Sequence, residues 1–112
     1  MAELQGFHAH VYYDKSTYNR AAALCDKAGE LFKLTVGRKH RSPVGPHPCW
    51  SCQLAFKPEE FGEVVPWLAL NRNGLTIFIH AETGDMIRDH TEHTIWMGKM
   101  EPLNLEVLNQ LP

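Results

Sequence analysis

Apolar and polar positions alternate without a break from Phe7 to Tyr13. Phe7, Ala9, Val11 and Tyr13 fall on one side of an extended chain, and His8, His10 and Tyr12 on the other. That period of two predicts a half-buried strand. At Tyr18 the period changes: Tyr18, Ala21, Ala22 and Cys25 recur at i, i+3, i+4 and i+7, which predicts a helix with Asp14 or Ser16 as its cap and Gly29 as its stop. Alternation returns over residues 31–38, with Phe32, Leu34 and Val36 apolar. Pro43, Gly45, Pro46 and Pro48 then exclude both helix and central strand. Residues 50–56 read as a third strand. Pro58, Glu59 and Glu60 open a second helix, buried along Phe61, Val64, Val65 and Leu68 and kinked or restarted at Pro66. Asn71 to Gly74 is a turn, and residues 75–82 alternate as a fourth strand. Beyond Gly84 the pattern predicts a loop through His90, a short element around Ile95, Trp96 and Met97, and a short leucine-rich segment.

The order β-α-β-β-α-β defines an α+β, ferredoxin-like sandwich: an antiparallel sheet in the order 4-1-3-2 with two helices on one face. The helix-covered face takes Phe7, Ala9, Val11, Ile77 and Ile79. The open face then receives His8, His10 and Tyr12 from the first strand, with Phe78 and His80 from its neighbour. Histidines distant in the chain thus converge on one surface. Trp50 and Phe78 on that surface would form a large apolar patch, to be covered by the C-terminal tail or a second copy, so a homodimer is expected. At 112 residues and 12.8 kDa the chain reads as one domain, 1–112, whose small-molecule site should be shallow or completed by a second subunit.

Charge narrows the partners. Eleven Lys and Arg against thirteen Asp and Glu leave a net charge of -2, no footprint for nucleic acid or for an anionic membrane. No apolar run approaches the ~20 residues of a membrane span, and the first residues lack a signal-peptide pattern. Three cysteines, Cys25, Cys49 and Cys52, argue against a disulfide framework. The expectation is a soluble cytoplasmic protein. Seven histidines carry the rest, since imidazole is both the commonest metal ligand and the group that titrates near neutrality.

His8 and His10 place two imidazoles on one strand face about 7 Å apart, and His80 on the adjacent strand can meet them at one ion. His47 lies in Pro43-Val44-Gly45-Pro46-His47-Pro48, whose prolines restrict the backbone around it and suit either a rigid site or a plain tight turn. His90 or His93 can serve as a general acid–base, with Asp89 or Glu92 to orient it. Glu82 shares the face of His80 as a potential carboxylate ligand or a strand-end charge. Cys49 and Cys52 form no metal or redox pair, because residues three apart on a strand point to opposite faces.

The run His10-Val11-Tyr12-Tyr13-Asp14, the proline loop from Pro43 to Pro48 and the segment Val65-Pro66-Trp67-Leu68 with Leu70-Asn71-Arg72 resemble the DOPA 4,5-dioxygenase family. So do His80-Ala81-Glu82-Thr83-Gly84-Asp85 and Asp89-His90-Thr91 leading to Trp96-Met97-Gly98. The resemblance runs in order along nearly the whole chain. It implies an extradiol dioxygenase that opens a catechol such as DOPA with O2 at a non-haem Fe(II) centre, a site that zinc or nickel can also fill. It further implies His10, His47 and His80 as iron ligands, with His8 in reserve. His90 is the implied acid–base residue. Tyr12 and Arg72 are candidates for contact with the substrate phenol or carboxylate, and Trp50 joins Arg72 as a substrate-contact candidate. Ala81-Glu82 departs from the proline and amide expected after that histidine in many relatives. The competing reading is a non-catalytic ferredoxin-like dimer that binds a metal or a small aromatic on its open face.

Overall fold

The computed structural model describes residues 3–109. Its elements are β1 (Gly6–Tyr13), α1 (Tyr18–Leu31), β2 (Thr35–Val36), β3 (Trp50–Phe56), α2 (Phe61–Asn71), β4 (Thr76–Glu82), α3 (Met86–Asp89), β5 (Thr94–Met97) and α4 (Glu106–Asn109). The strands form one antiparallel sheet in the order β2-β3-β1-β4-β5. The expected βαββαβ, α+β plan is therefore present. To it the segment around Trp96 adds a fifth strand on the free edge of β4.

Local chemistry explains most departures from the periodic reading. Asp14 does not cap α1 directly. Its carboxylate accepts the N–H groups of Ser16 and Thr17 at 2.9 and 3.0 Å, closing the turn that delivers the chain to the helix at Thr17. The helix then continues past Gly29 to Leu31. Pairing limits β2 to two residues, although alternation spans eight. A single 3-10 turn at Pro58–Glu60 leads into α2, which runs on through Pro66.

Pleating sends Ala9, Val11, Leu54, Ile77 and Ile79, all fully buried, against Ala21, Cys25 and Ala28 of α1 and Val64 and Leu68 of α2. Cys52 belongs to this layer as well. Leu54→Ala is expected to cost about 3 kcal/mol, the usual loss for a large-to-small change at a fully packed site. Urea unfolding tests it, and a loss under about 1 kcal/mol would show the site collapses to fill the gap.

Trp50 corrects the sequence reading. It pairs with Tyr13 across β1 and β3, so it shares the helix-side face and packs edge-on against Tyr13 and the core. The other face is not bare. The Pro43–Pro48 loop brings His47 over His10, α3 and the residue after it bring His90 over His80, and β5 stacks Trp96 on Phe78 with ring centroids 4.4 Å apart. A bond from Asn104 N–H to the Pro46 carbonyl, 2.8 Å, ties the C-terminal stretch to the proline loop. Phe78 is left with no exposure. The chain thus covers from within the apolar face that had argued for a second copy, and that argument for a dimer falls away.

Candidate metal centre

His8, His10 and His80 offer ring nitrogens that all lie within 4.8 Å of one another. The register explains why: His8 is directly opposite His80, and His10 follows two residues later on the same face. His10 Nε2 and His80 Nε2 are 3.0 Å apart. Two nitrogens bound to one ion at ~2.1 Å and at right angles would also be about 3 Å apart, so the pair has chelating spacing.

The tautomers fit a cation. His80 Nδ1 donates to the Ala81 carbonyl at 3.0 Å, which leaves Nε2 as the acceptor of the bond from His10 Nε2 and as the atom that would face a cation. His8 Nδ1 contacts Glu82 Oε1 at 2.6 Å, and this hydrogen bond holds the Glu82 carboxyl below its usual range. A carboxylate behind a histidine orients the ring and raises the basicity of its other nitrogen, as in carboxylate–histidine–metal sites. Burial is the main cause that pushes His80 down to about 4, and burial followed by the neighbouring imidazoles holds His10 well below 6.5. His10 and His80, buried and held neutral, carry no charge to repel a cation.

His47 stands differently from the reading that made it a ligand. The three-histidine group contains His8 in its place. The His47 ring lies 4.0 Å from that of His10, and its Nδ1 is 2.7 Å from the Tyr12 hydroxyl. Burial raises the Tyr12 phenol, so it stays protonated in this hydrogen bond. Burial also lowers His47 to about 4, so its ring is neutral. His90 is the complement. Its Nδ1 donates to the Met86 carbonyl at 2.7 Å, which leaves Nε2 as an acceptor with the ring 4.1 Å from that of His80.

Asp89 holds this half of the site in place, a role beyond the orienting one that the sequence suggested for it. Its carboxylate, only 1% exposed, accepts Thr83 N–H at 2.8 Å, Thr83 Oγ1–H at 2.7 Å and His93 Nδ1 at 2.8 Å. Burial works against its charge, but the bonds from His93 and Thr83 win and keep the carboxyl below its ordinary value. The carboxylate thereby links the end of β4, which carries His80, to α3 and His90. Asp89→Ala should cost about 2 kcal/mol, since it removes the buried acceptor that three part-buried donors share. A melting temperature within a degree of wild type would contradict that. Trp50 and Arg72 are not brought to the histidines. Trp50 faces the helices, and the Arg72 guanidinium bonds the Leu75 carbonyl at 2.9 Å beside Gly98.

Sheet and donor set together describe an α+β protein built around a cluster of three histidines, two of them buried. The chain belongs to the Dopa 4,5-dioxygenase family, whose model matches residues 7–107. It is 34% identical to an uncharacterized 21.2 kDa protein of Botryotinia fuckeliana over 94% of this chain and 64% of that one. It is 30% identical to the DOPA 4,5-dioxygenase of Amanita muscaria over 93% of this chain and 50% of the relative. The chain therefore spans between half and two thirds of the length of these curated relatives. A crystallised candidate dioxygenase from Nostoc punctiforme PCC 73102 superposes with a TM-score of 0.94 at 46% identity, over 97% of this chain and 95% of that one. Among the described residues no helix is long and apolar enough to cross a membrane.

Proposed function

We propose that the protein is an extradiol dioxygenase that cleaves a catechol with O2, using Fe(II) held by His8, His10 and His80. The observation that carries this reading is the convergence of three imidazoles from two paired strands, two of them with Nδ1 engaged, which makes Nε2 the atom available to a metal. Membership in a dioxygenase family supports it. Bound iron would supply the redox chemistry that brings O2 and catechol together, and three protein ligands leave room for both substrates.

The chain's own residues then divide the proton work. His90 Nε2, a bare acceptor beside His80, takes a catechol proton. With Tyr12 donating to Nδ1, the neutral His47 ring offers Nε2–H as a hydrogen bond to an oxygen that gains charge later, without giving up the proton. Phe78 and Trp96 exclude water beneath them.

The test is oxygen uptake with a visible spectrum, on protein loaded with Fe(II) under anaerobic conditions and mixed with aerated catechols. O2 loss matched by a new yellow absorbance supports ring cleavage. Confirmed iron binding with no uptake across neutral, anionic and cationic catechols would instead favour a non-catalytic binder of a metal or a small aromatic.

A further inference from the structure

The cover over the open face is lopsided, and that decides where a ligand enters. The proline loop, α3 and β5 close over His10, His80 and Phe78, all of them buried. Toward β3 the cover stops: His8, Ala55 and Gln53 are only half-buried. A cleft of about 850 Å3 begins there, with His8, Ala55 and Thr35 in its lining. A molecule that reaches the three histidines therefore comes in over β3.

Gln53 is the long polar side chain beside that approach. The register pairs it directly with His10, and Ala55 with His8, so both belong to the open face. Directly paired positions hold their Cβ atoms about 5 Å apart. Gln53 thus rises beside the His10 ring, on the flank opposite β4 and His80. That place keeps it out of the donor set but within reach of a molecule bound to a metal there. Its neighbours give it room. Gly37 has no side chain, and a Cβ there would stand 3.4 Å from that of Gln53, while Ala55 follows in the next row. The backbone of Gln53 is held in the sheet and accepts Gly37 N–H at 2.7 Å, yet among the described residues its side-chain amide has no hydrogen-bond partner. No buried side-chain nitrogen or oxygen among those residues goes unpaired, so this free amide is open to solvent.

We infer that Gln53 is a substrate-contact residue, whose amide N–H donates a hydrogen bond to a charged catechol oxygen as the ring enters over β3. The inference rests on the catechol reading above and adds to it a donor from outside the histidine cluster. A catechol that binds a cation gives up a proton, and the oxygen left with the charge is best met by a donor that keeps its own proton. A carboxamide does so at every working pH, which complements His90 Nε2 as the acceptor.

The experiment is anaerobic titration of Fe(II)-loaded wild type, Gln53→Leu and Gln53→Glu with 4-nitrocatechol, whose visible absorbance reports its ionisation. Loss of one charge-assisted hydrogen bond should weaken binding about tenfold in Gln53→Leu, while iron per chain stays at the wild-type level. Gln53→Glu keeps the shape but sets a carboxylate against the anion, so it should bind more weakly still. Affinity in Gln53→Leu equal to wild type would overturn the assignment and leave the catechol reading standing. Wild-type affinity in Gln53→Glu would do the same, because shape alone would then suffice. Loss of iron from Gln53→Leu would also overturn it, making the residue a support for the metal ligands. Failure of iron-loaded wild type to bind either 4-nitrocatechol or unsubstituted catechol would overturn the catechol reading itself.

Discussion

His8→Ala should lose bound metal, while His47→Ala keeps it. The two variants separate the donor set that the fold assembles from the one that sequence similarity suggested. His8, His10 and His80 converge, and His47 instead pairs with Tyr12 through Nδ1. Removing one of three ligands should lower metal affinity by at least the 10–100-fold typical of losing only an outer-sphere partner, roughly a thousandfold. Metal per chain, measured after dialysis against a weak chelator, should fall to background in His8→Ala, and likewise in His80→Ala. His47→Ala should retain wild-type metal content yet turn over at least about a hundredfold more slowly, the share of rate that a positioned hydrogen-bond donor supplies. His8 is the cleaner probe of the triad because it is less deeply buried than His10 or His80, so its truncation disturbs packing least. The opposite pattern, with metal retained in His8→Ala and lost in His47→Ala, would restore the ligand set of His10, His47 and His80.

The parts of this architecture legible in the sequence are those set by period alone. Alternation over Phe7–Tyr13 and over residues 75–82 identified both central strands and assigned His8, His10, Phe78 and His80 to one face, and the pairing of β1 with β4 agrees. Period could not choose the third imidazole. His8 enters through a register that sets it directly opposite His80, and register depends on how two distant strands align. Trp50 was assigned to the wrong face although the period after it was legible: Trp50, Cys52, Leu54 and Phe56 form the row of β3 that meets the helices. The cover over the sheet was equally hidden. His47 over His10, His90 over His80 and Trp96 on Phe78 are contacts made by segments whose packing no local period reports: a proline loop, the end of a four-residue helix and a short edge strand. Asp89 follows the same rule. Its position in a charged run reads as solvent-facing, yet three hydrogen bonds bury it.

The metal-free protein should lose stability steeply below pH 6.5, far more than its count of carboxylates would suggest. Burial holds His47 and His80 at about 4, against 6.5 for an unperturbed imidazole, and burial with neighbouring imidazoles holds His10 well below 6.5. Between pH 6.5 and 4 the unfolded chain therefore binds protons at these positions and the folded chain does not. Stability rises with pH wherever the unfolded state binds more protons, so here it falls as pH falls. The loss begins near the unfolded value of 6.5 and is complete for His47 and His80 below about 4. A gap of about 2.5 units amounts to roughly 3 kcal/mol for each of these two histidines. Two such losses are comparable to the whole stability of a domain this size, of the order of 5–15 kcal/mol. Chelator-treated protein should accordingly melt well below its neutral-pH temperature at pH 5, and unfold without heating near pH 4. Bound metal should shift the collapse to lower pH, because a cation on these nitrogens competes with the protons that drive unfolding. The variant His80→Gln carries no titrating group at that position. Its stability should therefore vary less between pH 7 and 5 than that of wild type, even if its absolute stability is lower. A melting temperature of metal-free wild type that stays flat from pH 7 to pH 5 would show that these imidazoles accept protons in the folded state, and the neutral state assigned to His10, His47 and His80 would have to be abandoned.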